Sequence, residues 1–238
     1  RFYSAVYNGA PNFSKQVGKA PLPVAPEFAW SPSAALHQLP EFAGRDLDDE
    51  AATLELPFQF PFFEHMVESL HVSSNGLLAF NPSYRAGADY TGHVGSRREP
   101  NGLLAVFWDD LRCQASARCR ISAGSIETAM TANRSSGASC EAGAAAVSVQ
   151  FKNVQRYDGH SSRISFEARL HADGCMELMF KRFPLQPVGV SVGPENLDGR
   201  HSIELADRLP FASALPFAVR LVPWLAPRGG TSGEIAPG

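Results

Sequence analysis

Two adjacent carboxylates, Asp109 and Asp110, are the residues whose type and spacing most directly indicate chemistry. They follow the continuous apolar run 103–108, so a buried strand would carry both of them to its end. Carboxylate oxygens are the ligands that Ca²⁺ prefers, and the ion takes about six to eight of them. We predict a candidate calcium site here, with Asp89 or Glu99 as further ligands, and no other cofactor. The alternative is that one aspartate holds the turn through backbone N–H groups while the other is solvated.

The segment Gly189-Val190-Ser191-Val192-Gly193 fits the G-x-S-x-G pattern of serine hydrolases. A nucleophile elbow needs a strand, a sharp turn at the serine and then a helix. Ser191 instead stands inside an alternating apolar strand, and Pro194 follows without any helical period. We therefore expect Ser191 to be an ordinary strand residue.

Glu167 and Glu177 lie on the two strands of one predicted hairpin, which could bring their carboxylates together. A glycosidase needs two carboxylates about 5–10 Å apart. Both residues occupy polar phases of their strands, which predicts that they are partners on a solvent-facing surface. The histidines have no metal-binding spacing. We expect no catalytic residues and no enzyme activity.

Four cysteines, Cys113, Cys119, Cys140 and Cys175, allow three pairings. Cys113 and Cys119 bracket a short polar loop that resembles a local staple, which leaves Cys140 and Cys175 to pair across strands. A zinc site would need tighter spacing and neighbouring histidines. Disulfides are favoured over free thiols, and they indicate an extracellular or cell-surface location.

Two sequons point to the same compartment. Asn12-Phe13-Ser14 and Asn133-Arg134-Ser135 make Asn12 and Asn133 candidate N-glycosylation sites. The chain begins at Arg1 rather than at Met, so we expect it to be part of a larger chain or assembly.

The charge and the hydropathy of the sequence together argue against two classes of partner. The chain carries 21 basic and 24 acidic residues, a net charge of −3, and no basic stripe, which excludes a nucleic-acid-binding protein. No run of 18 apolar residues occurs, so we expect no direct membrane insertion. A protein or a glycan remains as the partner.

The polar loop 82–101 is the candidate interface. It contains Tyr84, Arg85, Tyr90, Arg97 and Arg98, a mixture of aromatic and guanidinium groups that is typical of interface anchors. The loop between Cys113 and Cys119 is a second candidate.

Alternating apolar residues predict the elements that position these groups. Residues 54–60 have the period of a half-buried strand, and 103–108 is apolar throughout, as in a strand buried on both faces. Asn75-Gly76 and Asp173-Gly174 each separate two such runs and predict two hairpins. For the first, we expect a type I′ turn with positive φ at both central residues. At least eight short strands indicate an all-β, antiparallel sandwich with long loops.

Three segments lie outside this pattern. Residues 1–50 are proline-rich and predict an extended N-terminal arm that packs on the main domain. The sandwich is expected over 51–225, with a cysteine-containing insertion at 112–146. Residues 226–238 are expected to be a tail or linker.

The order of the motifs resembles the nidogen-like (NIDO-like) extracellular domain. The segments are Leu-Pro-Phe-Gln-Phe-Pro-Phe-Phe at 56–63, Val-Ser-Ser-Asn-Gly at 72–76, Leu-Ala-Val-Phe-Trp-Asp-Asp-Leu at 104–111, the hairpin 163–180 and Val-Gly-Val at 188–190. The resemblance covers about residues 52–193 and extends to plexin-domain-containing receptors. It implies an extracellular β-sandwich with interaction roles and no established catalytic residues.

Two functional hypotheses follow. The first is a non-catalytic interaction or adhesion module that binds a protein or glycan through its loops. The alternative is a structural subunit of an extracellular filament or surface assembly that docks through its N-terminal arm.

Overall fold

The computed structural model describes residues 28–86, 92–126, 144–158, 163–182, 189–206, 209 and 216–221, and the backbone of 2–7 and 222–224. These residues form an all-β, antiparallel sandwich with long loops, as the sequence predicts. Within the described part of the chain, no helix has the length and apolar character that a membrane span requires.

Thirteen strands form two sheets. In chain order they are β1 (Phe2–Tyr7), β2 (His37–Gln38), β3 (Ala51–Phe62), β4 (His65–Ser73), β5 (Leu77–Ala79), β6 (Leu103–Trp108), β7 (Leu111–Arg112), β8 (Arg120–Ile126), β9 (Ala146–Arg156), β10 (Ile164–His171), β11 (Met176–Arg182), β12 (Ser191–Glu195) and β13 (Phe217–Trp224). The large sheet has the order β1-β13-β11-β10-β9-β8-β2, with β7 beside β9. The small sheet has the order β12-β6-β5-β4-β3.

Phenylalanines fill the space between the sheets. Phe107 of the small sheet meets Phe166 of the large sheet with ring centroids 5.6 Å apart, and Phe166 stacks on Phe151 at 4.6 Å. Phe62 and Phe80 stack at 3.9 Å within the small-sheet layer. Large rings suit this position, because each aromatic side chain that points inward from a strand buries a large apolar area between the sheets.

Both hairpins occur, but the first turn differs from the predicted type. Ser74, Asn75 and Gly76 form a three-residue loop between β4 and β5, and Asn75 is not among the non-glycine residues with positive φ. Gly76 alone takes the left-handed conformation, at φ 80°. A Cβ at Gly76 would lie 2.1 Å from the carbonyl oxygen of Phe107, so only glycine fits.

This turn gives Asn75 a different task. Its side chain is fully buried, donates to Asp49 Oδ1 at 2.8 Å and accepts the Leu111 N–H at 3.0 Å. Asn75 thereby joins the hairpin, the acidic loop before β3 and the turn after β6. The Asp173-Gly174 hairpin has a similar loop, with Gly174 at φ 92°.

The described half of the predicted arm belongs to the sandwich. Leu39, Phe42 and Leu47 are buried in the main core, and β2 pairs with β8. The backbone of Leu47 also exchanges two hydrogen bonds with Cys113, at 2.9 and 2.8 Å. From Phe28 onward, the arm therefore forms part of the domain.

The predicted insertion 112–146 also contains part of the fold. β8 lies within it and pairs with β9 from Arg120 to Ile126. The Ala, Ser and Gly residues of this strand give a weak β signal, because β propensity reflects the packing of larger side chains. Residues 226–238, the predicted tail, lie outside the described residues.

Candidate functional site

The outer face of the small sheet is covered by an apolar pad. We use this name for the buried cluster Leu77, Ala79, Tyr84, Val94, Leu103, Ala105 and Trp108. Residues 81–86 and 92–101 supply Tyr84 and Val94 to it, so the run 103–108 is buried on both faces, as predicted. Gly92 permits close packing, since a Cβ there would lie 2.0 Å from the Trp108 ring.

Burial in this pad changes the role of Tyr84. The sequence places it among the candidate interface residues, but only 6% of its surface is exposed. Its ring lies 5.8 Å from that of His71. Tyr84 therefore contributes to packing and not to an exposed interface.

Polar groups at the edge of the small sheet hold the loop 92–101 in place. The Val94 N–H donates to Ser191 Oγ at 2.8 Å, and the Gly95 N–H donates to Glu195 Oε2. Ser191 Oγ itself donates to Glu204 Oε2. Ser191 is a buried strand residue, as predicted, and its hydroxyl is committed to these structural contacts.

Glu195 lies almost fully buried beneath this loop, with 1% of its surface exposed. Burial raises the pKa of the Glu195 carboxyl to about 7, the Gly95 N–H opposes this shift, and the nearby charge of Glu99 adds to it. Asn101, with its amide oriented to suit its neighbours, donates to Glu195 Oε1 at 2.5 Å. Near neutral pH this carboxyl is divided between its neutral and charged forms.

A second loop, 196–202, packs against 92–101. The Gly102 N–H donates to the Asn196 carbonyl oxygen at 3.0 Å. A Cβ at Gly199, whose φ is 65°, would lie 3.2 Å from the Cα of Arg97, so the two backbones are in contact. Asn196 Oδ1 accepts the N–H groups of Arg200 and His201, each at 3.0 Å, which orders the second loop.

The two loops together present an exposed basic surface. We call it the arginine face, and it consists of Arg97, Arg98, Arg200 and His201, all of which are exposed. Arg97 and Arg98 are sequence-predicted interface residues, whereas Arg200 and His201 are brought beside them only by the fold. Asp198 lies in the same loop, 3.5 Å from the Arg200 guanidinium.

Of the remaining predicted interface residues, only Arg85 can be placed. It is exposed, and its guanidinium donates to the Tyr84 carbonyl oxygen at 2.7 Å. Tyr90 lies outside the described residues.

The Asp109–Asp110 pair forms a turn in which one aspartate is already engaged. Asp109 is buried, its Oδ2 lies 2.8 Å from Arg156 Nε, and its Oδ1 accepts the Asp110 N–H at 2.9 Å. Burial raises the pKa of Asp109, although Arg156 opposes the shift. These contacts match the alternative in which an aspartate holds the turn.

The described residues do not assemble further calcium ligands around this pair. Glu99 accepts the Asn101 N–H in its own loop, and Asp89 lies outside the described residues. Across the described part of the chain, no group of three or more His, Cys, Asp or Glu side chains could hold a metal ion. The calcium site at Asp109 and Asp110 stays a prediction.

The outer face of the large sheet contains a buried ionic network that sequence reasoning missed. Its members are Ser31, Gln150, Glu167, Arg169, His171, Glu177 and Arg220. Glu167 has no exposed surface, and Arg169 Nε donates to it at 2.9 Å. Glu177 accepts from Arg220 Nη2 at 2.7 Å. The prediction that both glutamates face solvent is wrong.

Residues 28–36, which we call the N-terminal cover, bury this network. The Ser31 N–H donates to Glu167 Oε2 at 3.0 Å, and the Ala29 carbonyl oxygen accepts from Arg169. Gly124 allows the approach, because a Cβ there would lie 2.2 Å from the Ala35 carbonyl oxygen. The hydrogen-bonded partners, Ser31 with Glu167 and Ala29 with Arg169, are more than a hundred residues apart in sequence, so local alternation could not reveal them.

The network sets the charge state of Glu177. Burial raises the pKa of its carboxyl, but His171 and Arg220 outweigh that effect, and together they hold the pKa at about 2. His171 Nε2 lies 3.4 Å from Glu177 Oε2. Glu177 is therefore ionised throughout the physiological range.

The cysteines follow the predicted local staple. Cys113 and Cys119 form a disulfide with a Cα–Cα distance of 5.2 Å. Cys175 is also disulfide-bonded, and the described residues include no free cysteine. Cys140 and the candidate glycosylation sites Asn12 and Asn133 lie outside the described residues, so these predictions stay untested.

Comparison with known proteins identifies the family. The model of the NIDO-related family matches residues 26–204, which include the apolar pad, the N-terminal cover and the arginine face. Comparison with curated proteins and with solved structures gives no match. The predicted likeness to plexin-domain-containing receptors is not confirmed. The match confirms the nidogen-like reading of the strand motifs: the chain belongs to the NIDO-related family.

Proposed function

We propose that this protein is a non-catalytic extracellular interaction module that binds a protein or glycan partner through its loops. A NIDO-related domain and a disulfide both suggest an extracellular module. The observation that carries the proposal is the arginine face, in which exposed basic side chains stand on two loops that buried groups hold in place.

The construction of the arginine face favours binding. Hydrogen bonds join the backbone of 92–102 to Ser191, Glu195 and Asn196, so this loop is already ordered before a partner binds. Association then costs less conformational entropy than it would from a mobile loop. Arginine is also enriched among the residues that dominate interface energies.

The absence of catalysis is part of the proposal. Three groups whose sequence patterns suggested catalysis are engaged in the scaffold: Ser191 bonds Glu204, Glu167 bonds Arg169, and Glu177 bonds Arg220. A nucleophile or acid–base residue needs access to substrate. Each of these side chains is buried instead.

The test is a binding screen with matched variants. Wild-type protein is presented to purified extracellular-matrix proteins and defined glycans, and bound ligands are measured again with Arg97→Ala/Arg98→Ala. We expect at least one ligand whose Kd weakens about tenfold or more, which is the loss typical of arginine anchors.

The control is Lys181→Ala/Arg182→Ala, which removes the same charge from exposed positions on β11 of the large sheet. It should leave the affinity of that ligand within about twofold, a change of less than half a kcal/mol. Absence of any ligand, or equal affinity of the Arg97/Arg98 variant, would overturn the proposal.

A second candidate function is a structural subunit that docks through its N-terminal arm. The observation in its favour is the antiparallel pairing of β1 with β13 at the edge of the large sheet, from Phe2↔Trp224 to Tyr7↔Val219. An edge strand supplied by a distant arm is a form of strand addition that one chain can also offer to a neighbour.

Deletion of residues 1–27 tests this candidate, because it removes β1 and keeps the N-terminal cover. Light scattering over a concentration series should show assembly of the wild type and a monomer of the truncated chain. A wild-type protein that stays monomeric at every concentration would exclude it.

A further inference from the structure

A cleft of about 660 Å³ opens on the outer face of the large sheet, beside the ionic network. Its floor is formed by β8 and β9. One wall is the N-terminal cover with β2, and the other is the disulfide loop 113–119. A cleft of this size falls within the range of small-ligand sites.

Three cations line this cleft: Arg118, Arg120 and Lys152. All three are exposed. Arg120 and Lys152 are direct cross-strand partners, so their like charges lie on one face at neighbouring positions. Such a pair is destabilising in a sheet unless something compensates for it.

No described acidic side chain supplies that compensation. None of the three cations forms an ion pair within the described part of the chain. Asp46 contacts the backbone of the disulfide loop, where its carboxylate accepts the Ala115 N–H. In the adjoining network, by contrast, Glu167 and Glu177 each have a guanidinium partner.

The backbone fixes the position of the cations. Arg118 and Asn153 both adopt positive φ, 54° and 58°, and both line the cleft. The Asn153 amide donates to the Arg118 carbonyl oxygen at 3.1 Å, and the Cys113–Cys119 bridge closes the loop that carries Arg118. Non-glycine residues held in this conformation cost energy and cluster at functional sites.

Hydroxyl and amide groups complete the lining. Ser33, Ser122 and Asn153 lie among the cations. Side chains of this kind bond the hydroxyls of a sugar, while guanidinium and ammonium groups bond its anionic substituents. The net charge of the whole chain is −3, so a general positive field does not account for this concentration of cations.

We infer that the cleft between the N-terminal cover and the disulfide loop binds an acidic saccharide, whose sulfate or carboxylate groups contact Arg118, Arg120 and Lys152. The inference goes beyond the proposed function, because it assigns a second binding surface with a partner class of its own. It places that partner at a surface separate from the arginine face.

The test is calorimetric titration at low salt with three separate probes. They are a sulfated heparin tetrasaccharide, a galacturonate tetrasaccharide, which carries carboxylates but no sulfate, and inorganic sulfate. At least one tetrasaccharide should bind. Binding of the galacturonate tetrasaccharide would show that carboxylates suffice, and binding of the heparin tetrasaccharide alone would show that sulfate is required. Arg120→Ala/Lys152→Ala should weaken it about tenfold or more for each cation removed, and should flatten its salt dependence.

Lys181→Ala/Arg182→Ala is the control, since it removes the same charge from exposed positions on β11 and should change the affinity less than twofold. Equal losses in the two variants would mean non-specific attraction and would overturn the inference. So would binding of inorganic sulfate as tight as that of the tetrasaccharide, or no binding of either tetrasaccharide. The cleft variant should melt no lower than the wild type, because it relieves the Arg120–Lys152 repulsion.

If the cleft variant alone loses the saccharide while no ligand responds to Arg97 and Arg98, the cleft inference stands and the arginine-face proposal fails. If a ligand responds to Arg97 and Arg98 while no saccharide responds to the cleft variant, the arginine-face proposal stands and the cleft inference fails. The two proposals can therefore fail separately.

Discussion

The outer faces of the two sheets are both covered, but by different chemistry. On the small sheet, the loop 82–101 adds Tyr84 and Val94 to an apolar pad. On the large sheet, the N-terminal cover closes over a network of charged groups. Apolar cover stabilises by removal of area from water, whereas a buried ionic cover stabilises only while every charge keeps its partner.

One buried glutamate on each sheet shows the consequence. Among the described residues, Glu195 has backbone and amide donors but no cation, and burial raises its pKa to about 7. Burial acts on Glu177 in the same direction, yet Arg220 and His171 bring its pKa to about 2. The same side chain thus has opposite shifts, and the presence of a counter-charge decides the sign.

The largest effect is expected from a substitution that breaks the ionic network beneath the N-terminal cover. Arg220→Met leaves Glu177 buried without its closest cation, so the free energy of unfolding at pH 7 should fall by about 3–5 kcal/mol. Chemical denaturation measures the change. The double variant Arg220→Met/Glu177→Gln should regain most of the loss, and a single variant within about 1 kcal/mol of wild type would contradict the comparison.

The pH dependence has a definite sign. The folded pKa of Glu177 lies below its ordinary value of 4.5, so its contribution is complete above pH 4.5 and is lost as the pH falls towards 2. The deficit of Arg220→Met should accordingly shrink over that interval.

Truncation of a side chain in the apolar pad should destabilise the protein by the same amount at every pH. Leu77 is fully buried in it and pairs with Ala105, and Leu77→Ala should lower the free energy of unfolding by about 3 kcal/mol through lost burial and a cavity. The decrease should be equal, within error, at pH 4.5 and pH 8, because no pad residue titrates between them. A decrease that varies by more than about 1 kcal/mol over this range would mean that the pad and the titrating groups are coupled.

Glu195→Gln should have a smaller effect of the opposite sign. The folded pKa is raised, so ionisation of Glu195 reduces stability as the pH rises from 4.5 through 7. Glutamine resembles the neutral acid, and after allowance for solvent screening we expect a gain of about 1–2 kcal/mol at pH 8 and almost none at pH 4.5. Thermal melts at both pH values measure this, and equal effects at both would refute it.

The smallest effect belongs to the arginine face. Arg97→Ala/Arg98→Ala should change the free energy of unfolding by no more than about 0.5 kcal/mol, because both side chains are exposed. Denaturation alongside the binding screen would establish this. A loss above about 1 kcal/mol would mean that these arginines support the fold, and the binding proposal would lose its main argument.

Much of the scaffold follows from local pattern. Apolar alternation located the strands around 54–60, 164–170 and 176–180, and the continuous run 103–108 indicated burial on both faces. Turn glycines placed both hairpins, since a left-handed position in a short loop selects glycine whatever surrounds it. The short cysteine spacing likewise located the Cys113–Cys119 staple.

The candidate sites were less predictable, because the same residue type serves in both exposed and buried settings. The sequence identified Arg97 and Arg98 as exposed candidates but assigned Tyr84 to the same surface, and it could not show that Arg200 and His201 join them. It also treated 112–146 as an insertion, although Arg120 in β8 and Lys152 in β9 form the basic floor of the cleft.

By itself, the sequence determined the all-β class, the hairpins and the family motifs, because periodicity and turn chemistry act over a few residues. Only the tertiary structure decided that Glu167 and Glu177 are buried and that Asn75 links three segments. It also decided that three cations line one cleft. Those outcomes depend on contacts such as Ser31 with Glu167, between residues far apart in the chain, where burial and counter-charge are set by whatever packs on top.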